Sequence, residues 1–449
     1  MKNGIWPKRI AALLLSALLC GCTVHTPAPS GPAALTARED VLLELVNPAP
    51  DEDLLSYAPE SPSIQNAAAL GQVQPASLNF SDNNAEVRAV WISYLEMQTL
   101  LKNKTEAQFT KNICTVFDNV KSFGLNAVIV QVRPFADALY KSEYFPWSYT
   151  ITGTEGKNPG YDPLGVMVRE AKSRGLRIDA WVNPYRVRAE GNSTPLCSAN
   201  QAKKWIDSGD SAVIQYGNFT SYNPADEKAR KLIVNGIREI VKNYDVNGIH
   251  IDDYFYPTTD LAFDSSFYVT YKENGGKLSQ ADWRRANVEK LIKEIYTAVH
   301  EEDANVLFGV SPQGNISSNY NGQFIDMQKI ASTPGYCDYV CPQVYYGFEN
   351  QTQPFAKLVK EWNELVKDSG VELYIGLAAY KIGAADNWAG TGKNEWVNST
   401  NKLQKMVESC RSLSNCNGFF IYRYDSLFRP ASSVSAKVTK ECDNLKKIL

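Results

Sequence analysis

The sequence predicts a (β/α)8 barrel, and three observations carry that expectation. From residue 86 onward, eight short strand-like runs alternate with helical ones, the pattern that builds a parallel sheet covered by helices. The connections from helix to strand are short (Ser122–Leu125, Ser173–Leu176, Tyr244–Asn247), and those from strand to helix are long (Ala136–Tyr161, Val187–Asn223, Pro257–Gln280). In such a barrel the long connections all lie on the face where sites are built. Third, the hydrophobic strands turn polar only at their C-terminal ends, as the floor of a cleft requires. The alternative is a doubly wound open sheet. It would carry a Gly-rich phosphate turn after an early strand, and this sequence has none.

Lys2, Lys8 and Arg9 precede the apolar run Ile10–Leu19. That is a signal-peptide pattern over residues 1–21, too short to be a permanent span. The run ends Leu19-Cys20-Gly21-Cys22, which resembles a bacterial lipobox. Cys22 follows the small residue and is the expected lipidation site. The expectation is a lipoprotein, extracytoplasmic and anchored to a bacterial membrane through Cys22. Residues 22–85 are rich in Ala, Pro, Ser and Asn and lack sustained periodicity apart from a short helical piece at Asp40–Val46. They read as a largely disordered tether. The domain then occupies residues 86–449.

The expected strands are Arg88–Leu95, Asn126–Phe135, Arg177–Arg186, Gly248–Tyr256, Val306–Gln313, Tyr339–Tyr346, Leu373–Tyr380 and Gly418–Tyr424. Helical patterns at Thr105–Phe123, Leu164–Arg174, Ala225–Lys242 and Trp283–His300 lie between them, and Ser435–Leu449 closes the count. Val288, Leu291, Ile292, Ile295 and Val299 repeat at helical spacing. Ser279 with Asp282 resembles a capping box just ahead of them.

Net charge is −3, so nothing points to nucleic acid. The chain holds 24 Tyr, 17 Phe and 9 Trp, side chains that offer a flat apolar face and a polar edge. Carbohydrate sites use that combination, as do ordinary cores. Only 3 His are present and no metal-type Cys-x-x-Cys pair occurs, so no metal and no cofactor are expected. Cys410 and Cys416 are spaced so that they could bridge.

The most informative stretch is Gly248–Pro257, Gly-Ile-His-Ile-Asp-Asp-Tyr-Phe-Tyr-Pro. Ile249 and Ile251 fall on one face of a strand, and His250, Asp252 and Tyr254 on the other. Asp253 then adds a second carboxylate. Two adjacent acids among aromatics at a strand end suit the mouth of a sugar cleft.

Several strand endings together resemble a bacterial family, glycosyl-hydrolase-like family ten. They are Arg88-Ala-Val-Trp91, Gln131-Val-Arg-Pro-Phe135 with Asp137-Ala-Leu-Tyr140, Trp181-Val-Asn-Pro-Tyr-Arg186, Gly248–Pro257 and Pro342-Gln-Val-Tyr-Tyr346, supported by Asn223-Pro224 and Phe308-Gly-Val-Ser-Pro312. Gln313 stands where relatives often carry an aromatic. The resemblance covers roughly residues 86–430. It implies a barrel hydrolase acting on peptidoglycan glycan strands stripped of their stem peptides.

Glycoside hydrolysis normally needs two carboxyl groups. Asp252 is the first choice for nucleophile or stabilising carboxylate, oriented by His250. Asp253 and Asp137 rank equally as its partner, followed by Asp425. Strand five ends without an acid. Against a chitinase-type Asp-x-Asp-x-Glu motif, Tyr254 stands where the glutamate would be, which disfavours substrate-assisted cleavage. Trp91, Gln131, Arg133, Trp147, Asn183, Tyr185, Arg186, Tyr254, Gln313, Gln343, Tyr345 and Tyr346, with His250, are the expected sugar-binding residues. Gln131 and Arg133 share a face in this reading, as do Trp181, Asn183 and Tyr185. A glycan transferase on the same carboxylates, or a glycan-binding lipoprotein without catalysis, are the competing readings. The expected partners are a polysaccharide substrate and the membrane.

Overall fold

The computed structural model describes residues 86–449 apart from 190, 191, 193 and 368. The expected signal peptide, Cys22 and the tether therefore lie outside the described residues. In chain order the strands are β1 (Val87–Ile92), β2 (Ala127–Arg133), β3 (Arg177–Val182), β4 (Val213–Tyr216), β5 (Phe219–Tyr222), β6 (Gly248–Ile251), β7 (Leu307–Val310), β8 (Tyr339–Val340), β9 (Glu372–Ala378) and β10 (Cys416–Tyr422). All except β4 and β5 close into one barrel, with β1 between β2 and β10. Neighbouring barrel strands are parallel throughout. This is the (β/α)8 barrel that the sequence predicts.

The strands stop sooner than their apolar runs suggest, and proline supplies much of the reason. Pro134, Pro184, Pro312 and Pro342 follow β2, β3, β7 and β8 by one or two residues, and proline has no N–H to give a ladder. At β1 the stop is a helix instead. Ser93 caps Tyr94–Leu100 in a reciprocal box with Glu96. The outer helices start where cap chemistry places them. Thr105 and Gln108 box the start of Glu106–Phe123. Asp162 caps Pro163–Ser173, with proline in its first turn. Ser279 accepts the Asp282 N–H at the start of Gln280–Glu302. Each cap satisfies N–H groups that the helix leaves unpaired.

One face of the strands fills the lumen. Val87, Ala89, Trp91, Ala127, Ile129, Trp181, Tyr339, Cys341, Tyr374 and Phe420 pack together there, while the other face packs under the helices. The lumen also holds a polar core. Arg177 grips Asp179 through Nε at 2.9 Å and Nη2 at 2.7 Å. Tyr339 donates its hydroxyl to Asp179 Oδ2 at 2.9 Å. Gly309 makes room for that tyrosine, since a Cβ there would collide with the ring. Gly248 likewise lets β6 pass the Asp179 carboxylate.

The three long connections follow β2, β3 and β6, which are neighbours in the barrel, so they wall one side of its mouth. The one after β3 contains an antiparallel hairpin, β4–β5, which the sequence analysis does not foresee. Its return strand is sewn to the segment leaving β3: Tyr222 donates to Tyr185 O, and Val187 to Thr220 O.

Candidate functional site

Asp252, Asp253 and Tyr254 follow the last residue of β6, at the C-terminal mouth. The register sets Trp181 of β3 beside His250, so Asp252, two residues on, stands above the indole. Trp181 Nε1 donates to Asp252 Oδ2 at 3.0 Å, and the Tyr254 N–H reaches Oδ1 at 3.4 Å. Asp252 is 4% exposed and Asp253 8%. Burial raises the Asp252 carboxyl to about 8, aided by the negative charge of Asp253 and opposed by Arg186. Such a group holds its proton at neutral pH, which suits a proton donor and not the nucleophile or stabilising carboxylate expected from the sequence.

Asp253 is held from two strands along the barrel. Gln343, just past β8, donates Nε2 to Asp253 Oδ1 at 3.0 Å and to Ser311 O at 3.1 Å. The backbone of Gln343 bridges Gln313 and Gly376, which fixes the amide. The Arg186 guanidinium lies 4.1 Å over the Tyr254 ring and 4.7 Å over Phe135. Gln131 joins β2 to β3 and β1 by donating to Asn183 Oδ1 at 2.7 Å and accepting the Tyr94 N–H at 2.9 Å. Aromatic rings form the far wall. Tyr345 stacks on Tyr422 at 5.8 Å, and Tyr380 meets the two edgewise at 5.7 and 6.0 Å.

The structure thus groups Asp252, Asp253, Arg186, Tyr254, Gln343 and Tyr345, with Gln131 and Asn183 bracing them. Tyr346 is half-buried nearby, with Lys381 Nζ 6.0 Å from its ring. Gln313 supplies only backbone contacts, to Gln343 and Asn319.

Other expectations need correction. His250 does not touch Asp252: it is fully buried, and both ring nitrogens are engaged by Trp91 and Tyr339. Trp91 is 2% exposed and packs in the lumen beneath Tyr422, so it offers no open stacking face. Arg133 does not share a face with Gln131. The ladder slips between them, and this bulge turns Arg133 outward over Phe145. Tyr185 also points outward, because β3 has ended and alternation with it; its hydroxyl senses Arg230 and Glu294 on outer helices. Trp147 is half-buried against the core under its own loop. Asp137 is sealed in the loop network, accepting the Tyr149 N–H at 3.4 Å and lying 3.9 Å from Arg188; burial lifts it to about 7. Asp425 belongs to an ion cluster between β10 and the first helix. Arg423 Nη1 sits 2.6 Å from Glu96 and 3.5 Å from Asp425. Burial and Glu96 raise Asp425 to about 6.

Tyr94, Glu96, Tyr380 and Tyr422 are additions from the structure. The Ser93-x-x-Glu96 spacing was a readable capping signal. The positions of Tyr380 and Tyr422 depend on where their strands end. Among the described residues no group of three or more His, Cys, Asp or Glu could hold a metal ion, and the seven of the nine cysteines that are described are free thiols. No described helix is long and apolar enough to cross a membrane.

A closed eight-stranded barrel with paired acids and an aromatic wall at its C-terminal mouth is the architecture of a glycoside-hydrolase-like protein. The chain belongs to the family Glycosyl hydrolase-like 10, whose model matches residues 86–396. It is similar to glycosyl hydrolase YngK of Bacillus subtilis, 37% identical over 322 residues, 67% of this chain and 62% of that one. The chain therefore spans less than two thirds of that relative. It is also similar to glycosyl hydrolase DigH of Escherichia coli K12, 33% identical over 342 residues, 70% of this chain and 75% of that one. Among solved structures, the PgaB glycoside hydrolase domain of Bordetella bronchiseptica superposes with a TM-score of 0.52 at 16% identity, covering 79% of this chain and 98% of that one. The β-amylase catalytic domain of Paenibacillus polymyxa gives 0.52 at 13% identity, covering 81% and 99%. These two likenesses concern the fold.

Proposed function

We propose that this chain hydrolyses glycosidic bonds in a cell-envelope glycan, peptidoglycan glycan strands, with Asp252 and Asp253 as its carboxyl pair. The observation that carries this reading is the Asp252 carboxyl, held by Trp181 and raised by burial and then by its neighbour Asp253. Two adjacent acids, one of them buried and holding its proton, can divide the labour that hydrolysis needs. Asp252 keeps its proton at neutral pH and gives it to the departing glycosidic oxygen. Asp253, steadied by the Gln343 amide, is the partner that activates water or attacks the anomeric carbon. Arg186 supplies positive charge beside the pair, and Tyr345, Tyr380 and Tyr422 offer ring faces and hydroxyls to sugar.

The choice of peptidoglycan rests on the strand-end motifs shared with the family. Attachment through Cys22 is part of the same reading, and it would hold the barrel beside its polymer. The test is to incubate the purified full chain with denuded glycan strands, chitin oligomers and α-glucans and follow reducing ends. Release from denuded strands, lost in Asp252→Asn and Asp253→Asn, supports the reading. No release from any of the three, with oligosaccharide binding intact, would leave a glycan-binding protein instead.

A further inference from the structure

The bulge in β2 has a second effect. It sends Arg133 into a sealed region between the barrel wall and the helix Glu227–Asn243. Phe145 covers the guanidinium at 4.5 Å, and the Phe145 ring in turn packs on Gly236 of that helix. Arg133 is fully buried. Its Nε, Nη1 and Nη2 have no hydrogen-bond partner among the described residues. Two more buried donors face the same problem. The Tyr140 and Tyr222 hydroxyls are unpartnered, and both lie in the field of Arg133.

The nearest acid does not resolve this. Asp137 also lies within that field, but its ion-pair contact is with Arg188 at 3.9 Å, and its Oδ1 is unpartnered. The region thus holds a buried cation with no counter-charge in hydrogen-bond contact, beside two unpartnered hydroxyl donors. Burying such a charge unpaired is strongly unfavourable. Water can accept these hydrogen bonds but cannot balance the charge. A large anion does not fit among side chains this completely enclosed.

We propose that a small inorganic anion, of which chloride is the model, binds beside Arg133, held by its guanidinium and by the Tyr140 and Tyr222 hydroxyls. The site is separate from the aspartate pair and does not rest on the proposed hydrolysis. An anion bound only by the folded chain raises the unfolding midpoint in proportion to the logarithm of its concentration.

The experiment follows thermal unfolding of the full chain as sodium chloride replaces sodium gluconate at constant ionic strength. The expected result is a midpoint that climbs by a few degrees with chloride, and an Arg133→Met variant whose midpoint is indifferent to it. Crystals grown in sodium bromide should show an anomalous peak at the Arg133 guanidinium. That arm uses the unaltered protein and decides the matter even if the variant does not fold. A midpoint blind to the exchange, or bromide found only elsewhere on the protein, overturns the proposal.

Discussion

Trp91 Nε1 donates to His250 Nε2 at 3.1 Å, and this bond settles the histidine's tautomer. With Nε2 accepting, the ring proton sits on Nδ1 and is given to the Tyr339 hydroxyl at 3.0 Å. Tyr339 passes its own proton toward Asp179, and Arg177 neutralises the end of the chain. The lumen therefore contains one directional series of hydrogen bonds with a neutral histidine at its centre.

That neutrality has a pH signature. Burial lowers His250 to about 3, against the pull of Asp179. The unfolded chain takes up this proton near pH ~6.5, while the folded chain resists it. The histidine's contribution to stability is therefore complete above ~6.5 and is lost as pH falls toward 3. The unfolding midpoint of the wild type should drop more steeply between pH 6.5 and 4 than that of His250→Gln. Parallel curves would show that His250 is protonated in the native state.

Asp252 behaves in the opposite sense. Its folded value lies above its unfolded one, so the folded chain binds the extra proton and loses stability as pH rises from about 4 to about 8. Asp252→Asn should raise the unfolding midpoint at pH 7.5 and change it little at pH 4. The same substitution should lower kcat by about 10²–10⁴-fold, the usual worth of a positioned proton donor. Calorimetry and a reducing-end assay on one preparation check both halves.

Gln343→Ala removes the amide that fixes Asp253 and leaves the barrel strands untouched. We expect kcat to fall by about tenfold or more, with folding retained, because a misdirected carboxylate loses its reach. Gln343→Glu should be worse, since it adds a third carboxyl beside two. A Gln343→Ala enzyme with full turnover would show that this amide does not position Asp253 for the chemistry.

Arg177→Met should destabilise the domain by about 3–5 kcal/mol, because it strands the Asp179 carboxylate in the lumen. Adding Asp179→Leu to the same chain should recover part of that loss. A double-mutant cycle by urea unfolding measures the recovery. Additive losses would mean that the two side chains do not act as a pair.

The barrel was legible because alternating elements and lopsided loop lengths survive any uncertainty over side chains. The place of Asp252 and Asp253 at a strand end was legible too, since Gly248–Pro257 carries its polar residues there, but the sequence ranks Asp137 equally with Asp253 as the partner acid. Residues beyond a strand's true end were the hard cases. Arg133 and Tyr185 were placed by alternation, which a bulge and the loss of β3 at Val182 cancelled. His250 was placed on the correct face, but two lumen partners consume it. What holds Asp253 in place depends on strand register and on Gln343, a residue about 90 positions away in sequence. The β4–β5 hairpin is held mainly by backbone bonds to Tyr185 and Val187, which leave little trace in residue type.

The bed of Arg177, Asp179, Tyr339 and His250 also acts as a plug. It closes the tube below the mouth with side chains that have no slack to move aside. On the proposed function, sugar has a single door, so a long polymer would lie across the rim and not thread through the barrel.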